Sequence, residues 1–118
     1  MKKYFLLLTL CSFIACHTSE NKKLILGHWQ AVEWLVDGTA VDRDIPGTTF
    51  MFNDKGEYVF TNNGNTEKGT YKVDEDELYT TPDKQQEIKV RIARITKDTL
   101  IFDMNRGGAP ELLTLIHQ

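Results

Sequence analysis

The chain has 118 residues, 26% of them charged and 41% hydrophobic, which suits one globular domain and not two. Its 14 basic and 17 acidic residues give a formal net charge of −3. That balance argues against a nucleic-acid partner held through phosphates.

Lys2 and Lys3 precede an almost unbroken apolar run from Tyr4 to Ala15. A membrane-spanning helix needs roughly 20 residues, so this shorter run reads as a secretion signal. It ends at Phe13-Ile14-Ala15-Cys16 and gives way to a polar tract, His17 to Lys23. The ending resembles a bacterial lipobox, with the small Ala15 before the cysteine and Phe13 where leucine is usual. The resemblance implies that the Cys16 thiol takes a diacylglycerol, with palmitate-type chains, and that the chain is cut before it. An ordinary secreted protein cut nearby is the alternative. Each buried methylene of an acyl chain contributes about 0.8 kcal/mol, so two or more chains anchor stably. The expected organisation is a signal peptide over 1–15, a lipidated tether over 16–23 and a domain over 24–118. Cys11 leaves with the signal and Cys16 is acylated, so no pair is left to form a disulfide. Losing Lys2 and Lys3 reduces the 14 basic residues to 12 against 17 acids, a net charge of about −5.

Leu24 to Leu26 are apolar and suit a turn lying against one end of the domain. Gly27 to Val36 is rich in aromatic and β-branched residues and reads as a strand, with Asp37-Gly38 as a hairpin signal. Strict alternation puts Val32, Trp34 and Val36 on one face and Trp29, Ala31 and Glu33 on the other. A bulge near residues 30–32 would bring both tryptophans inward; alternatively Trp29 sits beyond the regular strand as an end plug. Residues 42–47 hold Pro46 and Gly47 and read as a loop. Strands are expected over 48–52 and 57–61, joined by the turn Asn53-Asp54-Lys55-Gly56. Asn62 to Asn65 turns into a strand over 66–73 with Gly69, Tyr71 and Val73 inward. Further strands follow over 77–81, 86–95, 99–104 and 112–117, with Pro82-Asp83-Lys84 and the Gly-rich 105–110 as breaks. No helical period of useful length is present. About eight short strands with tight turns argue for an all-β fold, a small up-and-down antiparallel β-barrel or a sandwich.

The ordered series Leu26-Gly27-His28-Trp29, Thr49-Phe50, Gly56-Glu57-Tyr58-Val59-Phe60, Gly69-Thr70-Tyr71 and Val73, then Ile95-Thr96 with Leu100 and Phe102, resembles the small bacterial lipocalin-like lipoproteins. It covers nearly the whole chain after the signal. The resemblance implies a lipocalin-like eight-stranded barrel on an envelope lipoprotein, with Gly27 and Trp29 as the barrel-end motif. It also implies a small apolar ligand inside the barrel, and an arginine near the last strand that packs on the first-strand tryptophan. Leu112 to His117 holds no arginine; Arg91, Arg94 and Arg106 are the nearby candidates.

A barrel of this size is either filled by side chains or holds one small ligand. The inward aromatics serve both ends: burying each stabilises the fold by roughly 1.5–3 kcal/mol. In the ligand reading Trp34, Phe50, Phe52, Tyr58, Phe60 and Tyr71 line a pocket near one mouth, with the two tyrosines as hydroxyl donors. In the other reading the barrel is a filled scaffold whose surface contacts or inhibits another envelope protein.

Catalytic chemistry finds little footing. Serine occurs only at Ser12 and Ser19, and Cys16 is acylated. His28 alternates with Trp29 and so faces out, while His17 and His117 lie near the chain ends. No zinc spacing exists, and Asp74-Glu75-Asp76-Glu77 lacks the spaced donors and glycine of a calcium loop. The expectation is a non-enzymatic protein without cofactor or metal. Its expected partners are a membrane, through the lipid, and a small hydrophobic ligand or another envelope protein. Its expected location is the outer membrane, facing the periplasm.

Overall fold

A computed structural model describes residues 20–42, 45–105 and 108–118. The signal peptide, Cys16 and Arg106 lie outside these residues. Among those described, nine antiparallel strands follow in chain order. They are β1 (Gly27–Val36), β2 (Thr39–Ala40), β3 (Thr49–Phe52), β4 (Glu57–Asn62) and β5 (Asn65–Asp74), then β6 (Glu77–Pro82), β7 (Ile88–Ile95), β8 (Thr99–Asp103) and β9 (Glu111–His117).

From β3 onward each strand pairs with the next, and β9 returns to pair with β1 from Trp29 to Val36. The first half of β1, Gly27 to Gln30, pairs with β3. Eight strands thus close an up-and-down barrel, and closure removes the exposed edges of an open sheet. β2 is a two-residue addition on the end of β1. Asp37-Gly38 turns the chain back on itself, and the pairing ends at Val41, whose amide still donates to Trp34 O at 3.0 Å.

Local chemistry sets the turns. Asp37-Gly38 and Asn63-Gly64 are two-residue connections with both members at positive φ, 54° and 79° in the first and 53° and 75° in the second. This twist matches that of the flanking strands. In the β3–β4 turn, Asn53 Oδ1 accepts hydrogen bonds from the Lys55 and Glu57 amides, both at 3.0 Å. That side chain replaces a backbone partner, which is why asparagine favours turns.

The parity problem of β1 resolves at Val32. Register against β9 shifts between Ala31 and Glu33, so Val32 is the extra residue of a bulge. Trp29 (0% exposed) and Trp34 (3%) both face inward. Val32 does not share a face with Trp34 as alternation suggests; it is 49% exposed on the outside. A second bulge in β7 lies between Ile92 and Arg94. It leaves Ala93 outside and packs Ile92 and Ile95 inward.

One end of the barrel is closed. Residues 20–24 form a helical turn, and Ile25 follows it into the core with no exposed surface. The Ile25 amide donates to Asn21 O at 3.0 Å, and Asn21 Nδ2 donates to Glu75 O in the β5–β6 turn at 2.7 Å. Residues 20–23, polar enough to read as tether, therefore lie against the domain. The β3–β4, β5–β6 and β7–β8 turns gather at this end. The crossover from β2 to β3 and the β4–β5, β6–β7 and β8–β9 connections gather at the other.

Candidate ligand cavity in the barrel

The closed end is built on Gly27 and Trp29. The Trp29 indole donates to Ile25 O at 2.8 Å, so the buried ring has its polar group satisfied. His117 stands edge-on to it, with ring centroids 4.8 Å apart at 82°. His117 Nε2 lies 3.1 Å from Leu26 O, a hydrogen bond in the tautomer protonated there. The imidazole takes the place that the family resemblance assigns to an arginine. Arg91 instead lies outside, 3.5 Å from Asp103 and 4.0 Å from Asp76; Arg94 is exposed. At Gly27 (φ 115°) a Cβ would approach the His117 ring to 2.5 Å, so this contact needs glycine.

A cavity of about 450 Å³ occupies the other half of the barrel. It reaches the end carrying the β4–β5, β6–β7 and β8–β9 connections, beside Asn62, Ile88 and Met104. Trp34 from β1, Phe50 from β3 and Tyr58 and Phe60 from β4 form one side. Leu78, Val90, Phe102 and Leu113 form the other. Phe50 organises the wall: its ring stacks on Phe60 at 4.6 Å and meets the edge of Phe102 at 5.5 Å. The volume falls within the roughly 300–1,000 Å³ of small-molecule sites, and a mainly apolar lining with a few placed polar groups is their usual chemistry.

Trp34, Phe50, Tyr58 and Phe60 of the six expected residues line this space; Phe52 and Tyr71 do not. Phe52 is 1% exposed and packs into the core, stacked on Phe50 at 5.5 Å. Tyr71 meets the edge of Phe52 at 4.9 Å, and its hydroxyl donates to Asn53 O at 2.7 Å in the β3–β4 turn. Both belong to the packed half of the barrel. The Tyr58 hydroxyl is also committed, donating to Glu67 Oε2 at 2.7 Å. Burial first, and then the Glu67 carboxylate, hold its pKa well above the ordinary phenolic value. The two tyrosines therefore do not offer free donors to a ligand.

Sequence reasoning missed four polar residues that face the cavity, Asn62, Glu67, Thr80 and Glu111. Glu111 is 6% exposed, and its Oε2 accepts the Trp34 indole N–H at 2.8 Å. The available signal was parity. Glu67 precedes Gly69, Tyr71 and Val73 at the strand period, and Glu111 precedes Leu113 and Leu115 in the same way.

Among the described residues no group of three or more His, Cys, Asp or Glu side chains could hold a metal ion. No helix among them is long and apolar enough to cross a membrane.

A protein of Bacteroides eggerthii, itself described as uncharacterized, has a crystal structure similar to this chain, with a TM-score of 0.62 and 15% identity. The match covers 80% of this chain and 99% of that one. A lipocalin-like protein of Bacteroides uniformis gives a TM-score of 0.59 at 14% identity, covering 75% and 96%. Identities this low speak for the fold alone. The comparison with curated proteins returned no match. The family profile of the lipocalin-like domain matches residues 25–102, from the buried Ile25 to Phe102 in the cavity wall. With two thirds of its length matched and the closed eight-stranded barrel in place, this chain belongs to the lipocalin-like domain family.

Proposed function

We propose that the protein is a non-enzymatic, lipid-anchored envelope protein whose barrel holds a small, largely apolar molecule. The observation that carries this reading is the 450 Å³ space walled by Trp34, Phe50, Phe60 and Phe102, left unfilled by the protein's own side chains. Interiors otherwise pack at crystal density, so an unfilled apolar space forgoes contacts that a ligand would supply. Titration with decanol, followed by calorimetry and by tryptophan fluorescence, tests it. Saturable one-to-one binding is expected, and Val90→Phe, which adds a ring to the lining, should weaken it at least tenfold. Absence of saturable binding, by decanol and by its amine and carboxylate analogues alike, overturns the carrier reading.

The anchor part of the proposal rests on Cys16 behind an apolar run, and it places the protein on the periplasmic side of the outer membrane. Cys16→Ser should move the protein from the membrane to the soluble periplasmic fraction. A variant that stayed in the membrane fraction would refute the lipid anchor.

A second reading, an interaction or inhibitor module for another envelope protein, draws on Val32, Leu112 and Ile116. These are 49%, 37% and 41% exposed on the outside of the β1–β9 pair. It calls for a filled scaffold, and the unfilled interior favours the carrier.

A further inference from the structure

We infer that the cavity selects an amphiphile with a cationic, hydrogen-bond-donating head, an alkyl- or arylammonium, over a fatty acid. The inference rests on the carrier reading and names its ligand class. It starts from the sign of the polar lining. Glu67 and Glu111 contribute carboxylates, and the described lining holds no lysine, arginine or histidine. The Tyr58 hydroxyl donates to Glu67 and the Trp34 indole to Glu111, and both donors are neutral groups. Tyr58 stays protonated well into the alkaline range, so it continues to donate. Glu111 has a further interaction within the fold. Glu67 is therefore the carboxylate assigned to the ligand head.

A second observation lies on the adjoining strand. Asn62 lines the same cavity, and its Oδ1 is buried without a hydrogen-bond donor among the described residues. Buried acceptors in folded proteins normally have a partner. β4 and β5 pair Asn62 with Asn65 and Phe60 with Glu67, so the amide and the carboxylate sit near each other at the mouth. Together the Glu67 carboxylate and the Asn62 Oδ1 present two acceptors beside an aromatic wall. An ammonium offers donors to both and neutralises one charge. A fatty-acid carboxylate there would meet a like charge. At roughly 30 Å³ per non-hydrogen atom, about 450 Å³ accepts some fifteen atoms, so a decyl chain with its head fits.

The test compares decylamine, decanol and decanoate on the full chain at neutral pH by titration calorimetry, with Glu67→Gln and Glu111→Gln in parallel. Decylammonium should bind at least about tenfold more tightly than decanoate. Glu67→Gln should remove most of that preference. Decanoate binding as well as decylammonium overturns the inference and leaves the carrier reading standing. A preference that survives Glu67→Gln overturns the assignment of Glu67, and loss of preference only in Glu111→Gln transfers it to the other carboxylate and overturns it equally. Failure of all three probes, decanol included, overturns the carrier reading itself.

Discussion

Replacing Trp34 by phenylalanine should cost the domain about 3 kcal/mol. Trp34 is 3% exposed, and its indole nitrogen stands 2.8 Å from Glu111 Oε2, itself on a residue 6% exposed. A hydrogen bond to a charged partner contributes about 1.5–3 kcal/mol, and losing it leaves a buried acceptor short of a donor. Losing the second ring of the indole also removes apolar contact, for about 1 kcal/mol more. Domains of this size are stable by about 5–15 kcal/mol, so the loss is a substantial fraction. At about 4–8 °C per kcal/mol, the Tm should fall by about 12–24 °C. Urea unfolding followed by far-ultraviolet circular dichroism measures the change without relying on the altered fluorescence. A double-mutant cycle with Glu111→Gln isolates the pair, because glutamine keeps an acceptor but loses the charge. The coupling should be about 1 kcal/mol, since charge-assisted bonds are about twice as strong as neutral ones. A cost below about 1 kcal/mol for Trp34→Phe, or zero coupling, would refute the reasoning.

Gly69→Ala should destabilise by at least about 2 kcal/mol, because a Cβ at Gly69 overlaps the Thr81 carbonyl and Pro82 Cα, backbone atoms that move only if β5 and β6 separate; a wild-type urea midpoint would refute this. His117→Ala should cost about 1–2 kcal/mol by removing the edge contact with Trp29 and the bond to Leu26 O, whereas His28→Ala, exposed on the outer face, should be neutral in the same assay. Tyr58 and Tyr71 both have pKa values raised above 10.0, chiefly by burial. The folded state then holds protons that the unfolded state releases, so stability is full below pH 10 and falls as pH rises past it. Tyr58→Phe should flatten that alkaline fall. A phenolate absorbance titration in which both rings ionise at the ordinary value while the protein stays folded would refute it.

Much of the barrel is legible in the sequence because its signals are local. Asn53, Asn63-Gly64 and Asp37-Gly38 each specify a turn through their own side chain or φ, and strands between them need only alternate. Val32 shows where local reading ends. It is β-branched and apolar and continues the alternation toward Trp34, yet it lies outside. The bulge is set by the register between β1 and β9, whose paired residues Trp29 and His117 lie at opposite ends of the chain. Two tryptophans five positions apart in one strand cannot both face a core without an extra residue, so the bulge was foreseeable although its position was not.

The site was harder to read than the fold, because the same aromatic parity serves a packed core and a cavity wall. Phe50 and Phe52 share a face and stack on each other, yet only Phe50 touches the open space. What divides them is position along the barrel axis. Ile25 and Trp29 fill the end near Phe52, with the exposed His117 edge-on to the indole, whereas among the described residues the helical turn has no counterpart at the other end. The opposite end holds the long connections, and two inward carboxylates interrupt its apolar wall. A glutamate at a strand start ordinarily marks solvent, which hides Glu67 and Glu111 in a composition-based reading. Parity identifies them, since each shares the face of the inward residues that follow it. A barrel selected only for packing density would place leucine or valine at both positions, as it does at Leu113 and Val73. The two acids, one beside an amide oxygen with no donor among the described residues, are the strongest physical sign for the proposed ligand.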